Sequence, residues 1–522
     1  MLNAKRWLFL IHRWVGVLLC AFFAMWFLSG MVMMYVGYPK LTQAERLAHL
    51  PPLRADAVLL QPAQALSRAG MPGPLQDLRL ATASGGRAVY LAVAAPGDGS
   101  TATRPRRARA TTVIDAATGE VLTHVDASRA IASAQAFAQA GHEPTTSTSS
   151  NTVIDYLGEV QEDAFTHSRA LDAHRPLHRV LVGDEAGTLV YVSGTTGEVV
   201  RDATRSERWW NYVGAWIHWL YPLRGTLLDT YWADIVNGLS IAGMVLAVTG
   251  TVVGVMRWRF SGRYKTGART PYRGVMMRWH HVFGLVFALI TFTWIFSGLM
   301  SMNPWKIFDS APLPLRTQAM NSGPLMLPPA PATVQALLAA APPNTRELRW
   351  VQSVGHTLVQ ALAPTGPTVL LGATTAQPHI FAPGVVEQAA ALLLPYPVAR
   401  TTTLHHYDLY YYDRAPHTMT GGGDKPLPAL RVVFDDPGAT WVHIDPHTGA
   451  VLGRTDTLRR TSRWLFALLH SWDWLPLLER RPLWDVLLIV LSLGGAVMSL
   501  TGVVIGWRRL GIKLRAPAAR VL

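Results

Sequence analysis

The sequence predicts an α-helical membrane bundle of four spans, made of two similar halves that each carry an external α+β domain. Three observations lead there: four long uncharged apolar runs, a marked sorting of basic residues, and a repeat relating the first run to the third and the second to the fourth.

The runs are Trp14 to Val36, Ile235 to Met256, Val282 to Met302 and Val486 to Trp507, each reaching the roughly 20 residues that a bilayer crossing needs. Of the 47 basic residues, fifteen lie before the first run, between the second and third, or after the fourth, in segments without Asp or Glu. The remainder are balanced by the 33 acidic residues, so the net charge of +14 is a topological signal and not a nucleic-acid surface. Short basic segments face the cytoplasm, which places both termini and the 257–278 loop inside and the two long segments outside. Of the 19 tryptophans, only Trp350 and Trp441 lie far from a span or its flanks, the distribution of interfacial anchors. Cys20 is the sole cysteine, within the first run, so no disulfide forms within the chain. No small-x-small cleavage site follows that run, which reads as an uncleaved anchor.

The expected order is an N-terminus with the first span (1–36), an external domain (37–207), an aromatic amphipathic segment (208–233), the second span (234–256) and a basic loop (257–278). The third span (279–302), a second external domain (303–462), a second amphipathic segment (463–484), the fourth span (485–507) and a basic tail (508–522) follow. Three matching phrases in the external domains, around Asp115–Gly119, Ser193–Gly197 and Asp445–Gly449, read as strand, tight turn with glycine at positive φ, then strand. Ala332–Ala341 reads as a helix started by Pro331. Ala95–Pro105, Ala311–Ala330 and Gly421–Pro428 read as loops, and Thr145–Ser150 as a mobile one.

The repeat is sharpest around four histidines. His12 precedes Gly16 by four residues and Ser29-Gly30 by seventeen; His280 stands in the same relation to Gly284 and Ser297-Gly298. His218 and His470 end the aromatic segments that precede the second and fourth spans, each of which carries Thr-Gly (Thr249-Gly250, Thr501-Gly502). The glycine pairs Gly250/Gly254 and Gly502/Gly506 have the small-xxx-small spacing of close helix packing. Histidine inside a bilayer is rare and tends to be functional. Imidazole titrates near neutrality and suits a proton relay; it is equally an axial ligand of haem iron. Two axial nitrogens of one haem lie within about 4 Å of each other, each about 2 Å from the metal. His12 lies 24 residues from Val36, roughly 36 Å of helix, so it cannot share a haem with His218. The pairs left are His12 with His280 on the inside and His218 with His470 on the outside. His281 is a weaker competitor for His280, and Arg13 and Arg278, with Arg6 and Arg273, are candidates to meet haem carboxylates or to serve as positive-inside anchors. Gly16 and Gly284 are either close-approach sites or packing glycines.

These residues, together with the Asp-x-x-Thr-Gly-type hairpins, His174-Arg175-Pro176-Leu177-His178 and the Trp507-Arg508-Arg509 ending, resemble the PepSY-associated transmembrane family of bacterial iron-regulated inner-membrane proteins. The resemblance covers nearly the whole chain. It implies PepSY-like external domains, a bacterial inner-membrane location with those domains in the periplasm, two b haems, and reduction of a ferric siderophore or other ferric chelate to release Fe(II). Val192-Ser193-Gly194-Thr195 departs from the pattern by lacking the Asp, which reduces that phrase to a turn.

Outside the membrane, His405, His406, Tyr410, Tyr411, Tyr412 and Arg414 form the densest polar-aromatic stretch, either a chelate cradle or a strand with alternating tyrosines. His174 and His178 have metal-pair spacing, but Pro176 opposes a helix there. Glu159, Glu162 and Asp163 read as solvated. No phosphate-binding loop, dinucleotide fingerprint or HExxH motif occurs, so electrons are expected from quinol or a flavoprotein partner. The expected function is a di-haem electron carrier reducing a periplasmic acceptor. The alternatives are a regulator or chaperone of a periplasmic peptidase and a haem-bearing anchor for a partner reductase.

Overall fold

The computed structural model describes residues 2–96, 110–141, 154–415, 418–419, 421–423 and 425–515. The Thr145–Ser150 tract, most of Ala95–Pro105 and the tail beyond Arg515 lie outside them.

The apolar runs form helices because they contain no proline and few polar side chains. They are α1 (Leu2–Met33), α2 (Trp232–Arg257), α3 (Val275–Val286), α4 (Ala288–Ser301) and α5 (Leu483–Arg515). Among the described residues three helices are long and apolar enough to cross a membrane, and four spans result if α3 and α4 count as one. The third run is not one continuous helix: it bends by 67° at Phe287, which leaves the helical region of backbone space. No proline marks the bend. Opposite it, Gly494 of α5 has no side chain, and the Phe287 ring occupies the space a Cβ would need. α1 packs along α5 and α2, α5 along α3, and α2 along α4, an arrangement in which each half contributes equivalent helices. Leu19, Phe23, Phe27, Leu246 and Ala496 form the buried centre of this bundle.

Among the described residues the external part contains three antiparallel sheets. β4 (Ile154–Val160), β5 (Leu177–Val182), β6 (Leu189–Ser193) and β7 (Val199–Ala203) form one from the first half. β11 (Val398–Leu404), β12 (Ala429–Phe434), β13 (Trp441–Ile444) and β14 (Val451–Thr455) form its counterpart in the second. The third sheet crosses between halves in the order β10-β9-β8-β1-β2-β3. Its members are β1 (Leu75–Ser84), β2 (Arg87–Ala94), β3 (Thr112–Asp115), β8 (Glu347–Ser353), β9 (His356–Leu362) and β10 (Val369–Gly372). β1 pairs with β8, Leu78 opposite Trp350 and Leu80 opposite Leu348. The two external units expected at 37–207 and 303–462 are thus joined through one sheet. Leu78, Tyr90 and Trp350 share its core, which explains a tryptophan so far from the spans.

The three turn phrases adopt one geometry. Gly119, Gly197 and Gly449 have φ of 82°, 73° and 71°. Asp115 Oδ1 accepts from the N–H groups of Ala117 and Thr118, and Asp445 Oδ1 from that of His447. Ser193 Oγ takes the same position, accepting from Thr196 N at 3.0 Å, so the missing Asp is replaced by a hydroxyl. The expected helix at Ala332–Ala341 is shorter, Val334–Ala340, because Thr333 caps it by accepting from Ala336 N. Pro331 therefore precedes the cap. Asp163 is not simply solvated: it accepts from Tyr191 Oη at 2.8 Å.

Candidate functional site: two histidine pairs at opposite ends of the bundle

His12 on α1 and His280 on α3 face each other with ring centroids 6.3 Å apart. At the other end His218 and His470 face each other at the same 6.3 Å. His12 and Ser29, the latter holding His218, are separated by about 25 Å of α1 at about 1.5 Å per residue.

Both outer histidines are delivered by the same local device. After short capped helices, Arg205–Asn211 and Thr457–Arg463, the chain makes one π-helical turn, Tyr212–Trp216 and Trp464–Leu468. Each turn ends two residues before its histidine. The wider turn shifts the helix face on which the following residues point, and such turns recur at functional sites. Indole N–H groups then tie the segment to the spans: Trp26 donates to the His218 carbonyl, Trp232 to that of Trp219, and Trp484 to that of Ser471.

The hydrogen bonds fix the tautomers. His470 Nδ1 lies 3.2 Å from the Trp294 carbonyl, which only accepts, so Nδ1 carries the proton. It also lies 3.0 Å from Ser297 Oγ, whose own proton goes to the same carbonyl. Ser29 Oγ donates to the Met25 carbonyl at 2.6 Å and so accepts from His218 Nδ1 at 2.9 Å. His280 Nδ1 donates to the Met498 carbonyl at 3.0 Å, with Thr501 Oγ1 at 3.4 Å. In these three rings the lone pair is left on Nε2. Leu246, four residues before Gly250 as Met498 is before Gly502, offers its carbonyl to His12 without good alignment, so His12 Nδ1 is buried and makes no hydrogen bond.

His281 differs in kind. Its Nε2 donates to the Gly254 carbonyl at 2.9 Å and its Nδ1 accepts from Thr270 Oγ1 at 2.7 Å, so both nitrogens are engaged. It fastens the start of α3 to the end of α2.

The glycines of the repeat make room for the rings. A Cβ on Gly250 would stand 2.6 Å from His12 Cε1, and one on Gly502 3.3 Å from His280 Cε1. A Cβ on Gly30 or Gly298 would stand 3.7 Å from His218 Cε1 or 3.6 Å from His470 Cε1, ordinary contact with the outer rings. Gly250 thus serves ring clearance, while at Gly502 a Cβ would come nearest to Cys20 Sγ of α1, at 2.5 Å, so this glycine also serves the helix packing its spacing suggested. Gly16 packs on Leu246, while Gly284 faces open space.

A cavity of about 360 Å³ opens beside the outer pair. Trp26, Phe27, Gly30, Trp294 and Gly298 line it with His218 and His470, and Arg414 enters from the second external domain. The stretch His405 to Arg414 is not a strand, because β11 ends at Leu404. Tyr411 and Tyr412 are buried; Tyr411 stacks on His443 and donates to the Pro426 carbonyl, and Tyr410 Oη accepts from Trp464 Nε1. These tyrosines fasten the domain to the outer histidine segment, while His405 and His406 stay exposed at the end of the strand. Burial and the Arg431 guanidinium push the His443 imidazole down to about 4.

Arg13 and Arg278 are exposed. His174 Nδ1 meets Ser193 Oγ and His178 Nδ1 meets Tyr156 Oη, so the structure does not bring them together as a metal pair. No group of three or more His, Cys, Asp or Glu poised for a metal ion occurs among the described residues.

Fold and site define a polytopic membrane protein whose bundle holds two facing imidazole pairs at different depths. Residues 9–509 match the PepSY-associated TM region, and the chain belongs to that family. A comparison with curated proteins finds no match.

Proposed function

We propose that the chain is a di-haem b electron carrier of a bacterial inner membrane that passes electrons outward to a ferric siderophore or another ferric chelate. The observation that carries this reading is the 6.3 Å centroid separation of both pairs. With a metal–nitrogen bond of about 2 Å and a nitrogen about 1 Å from its ring centre, two axial imidazoles hold their centroids roughly 6 Å apart.

His12 and His280 would hold one haem and His218 and His470 the other, with Nε2 free in the last three rings. Haem supplies one-electron chemistry at iron, with a potential tuned by burial and by hydrogen bonds to its ligands. The protein's residues do the rest. Ser29, Ser297 and the Met498 carbonyl hold the Nδ1 protons, which fixes each ring's orientation and raises its basicity as a ligand. Gly250, and less tightly Gly502, keep the inner ring positions open. Between the pairs, Phe23, Phe27 and Leu246 fill the bundle and exclude water. The sorting of basic residues gives the sidedness: the His12 pair at the cytoplasmic end and the His218 pair beneath the external domains. The electron donor is a quinol or a flavoprotein.

Rapid mixing tests this function. Dithionite-reduced protein, freed of reductant and mixed with a hydroxamate-bound ferric ion, should lose its reduced α band as a ferrous-specific chelator traps Fe(II). An α band that survives the mixing would remove the reductase reading and leave a membrane anchor for a partner.

A further inference from the structure

At the β10 edge of the sheet that crosses between the halves stand two histidines that the proposed function does not use. His356 opens β9. His379 follows β10 in a short segment pinned to that strand, its N–H donating to the Leu370 carbonyl at 2.8 Å. The two ring centroids are 4.8 Å apart, with an interplanar angle of 49°. His379 Nε2 is buried and makes no hydrogen bond, whereas His356 is exposed. Phe381, which packs against the core of the β11–β14 sheet, stands edge-on to His379 at 4.9 Å.

The fold does not require these rings, because the first half builds the same hairpin without them. Gly372 of β10 lies opposite Leu358 of β9 as Asp115 of β3 lies opposite Val89 of β2. Gly372 N donates to the Gln377 carbonyl at 2.8 Å, and Asp115 N to that of Glu120 at 2.9 Å. His379 N and Leu122 N then each donate back to the strand, at 2.8 Å in both halves. This register places Arg87 where the second half has His356, and Leu122 where it has His379. A cation and an aliphatic side chain serve the same backbone there, so packing does not demand the paired imidazoles.

The spacing of the rings fits a shared metal. Each imidazole bound to an ion puts its ring centre about 3 Å from it, so a tetrahedral angle sets two centres roughly 4.9 Å apart. Imidazole suits zinc, copper, iron and nickel. Both histidines are held by strand pairing, Ser353 opposite His356 and Leu370 bonded to His379, so the separation is set before an ion arrives. We infer that His356 and His379 form a two-imidazole site for a divalent transition-metal ion in the external part of the chain, with water completing the coordination. The site uses none of the four bundle histidines and stands apart from the haem reading.

The experiment is a calorimetric Zn2+ titration of the full chain in detergent, after a chelator has removed adventitious metal, with thermal unfolding alongside. His356→Arg and His379→Leu introduce the residues that the first half carries at the same places, so the hairpin should tolerate both. The wild-type chain should bind one Zn2+ more than either variant, and the double variant should lose no more than each single one. Zn2+ should raise the wild-type Tm more than that of either variant, as binding to the folded state alone requires. His379→Gln gives the same comparison should the leucine variant not fold. Equal numbers of bound Zn2+ in wild type, His356→Arg and the folded His379 variant would overturn the inference. A double variant that loses two ions would overturn it equally, because the histidines would then bind metal separately.

Discussion

Each of the four histidines is useful through what its neighbours do to it. The repeat made His12, His218, His280 and His470 visible in the sequence, because both copies keep the same offsets to Gly and to Ser-Gly or Thr-Gly. What was not legible was the purpose of those dipeptides: the hydroxyls of Ser29 and Ser297 hold the outer Nδ1 protons, and the glycines beside the rings remove the side chains that would touch them. The choice between His280 and His281 also needed coordinates, since only hydrogen bonds show that both nitrogens of His281 are spent. Ser29→Ala should weaken cofactor retention at the outer pair by about 10- to 100-fold, as loss of a ligand's supporting hydrogen bond does elsewhere, read as haem retained after dialysis. Gly250→Val should abolish only the inner site, because its Cβ already falls 2.6 Å from His12 Cε1; loss of both haems together would show the pairs are not separate. His443, 4% exposed and depressed to about 4, is neutral when folded but takes a proton near 6.5 when unfolded. Its contribution, at most about 3 kcal/mol, is therefore present above pH 6.5 and lost as pH falls toward 4. Denaturant unfolding of the chain at pH 7 and 4.5 should show this loss, and His443→Phe should reduce it.

The elements were legible in proportion to how local their causes are. Hairpins at Asp115–Gly119, Ser193–Gly197 and Asp445–Gly449 follow from one glycine at positive φ and one capping side chain, all within five residues. The apolar runs gave the spanning helices for the same reason. The 67° bend between α3 and α4 was hidden because its cause lies on another helix, where Gly494 admits the Phe287 ring. Gly494→Leu should overpack that contact and cost about 1–3 kcal/mol. Adding Phe287→Ala should recover most of the lost thermal stability in detergent; no recovery would detach the bend from this contact. The π turns before His218 and His470 were equally invisible, since an inserted residue leaves no compositional mark.

The whole molecule is held by contacts between halves that no local pattern announces. The pairing of β1 with β8 joins segments from the two external regions, and a buried charge cluster seals it: Arg79 meets Glu198 at 3.2 Å and Arg46 meets Glu347 at 2.8 Å. Glu347→Ala would take from the largely buried Arg46 guanidinium the carboxylate it meets at 2.8 Å and should destabilise the joined sheet by roughly 3–5 kcal/mol. Trp350 emission, reporting from the core of that sheet, should shift to the red at lower denaturant. The joined sheet ties the two external regions together, and the helix contacts of the bundle likewise run between halves. The central claim is that each facing pair holds its own haem. Haem quantified as the pyridine haemochromogen from purified wild-type chain, beside His280→Ala and His470→Ala, tests it directly. Two b haems per wild-type chain and one in each variant are predicted; a wild-type chain with none, or two retained in both variants, would contradict it.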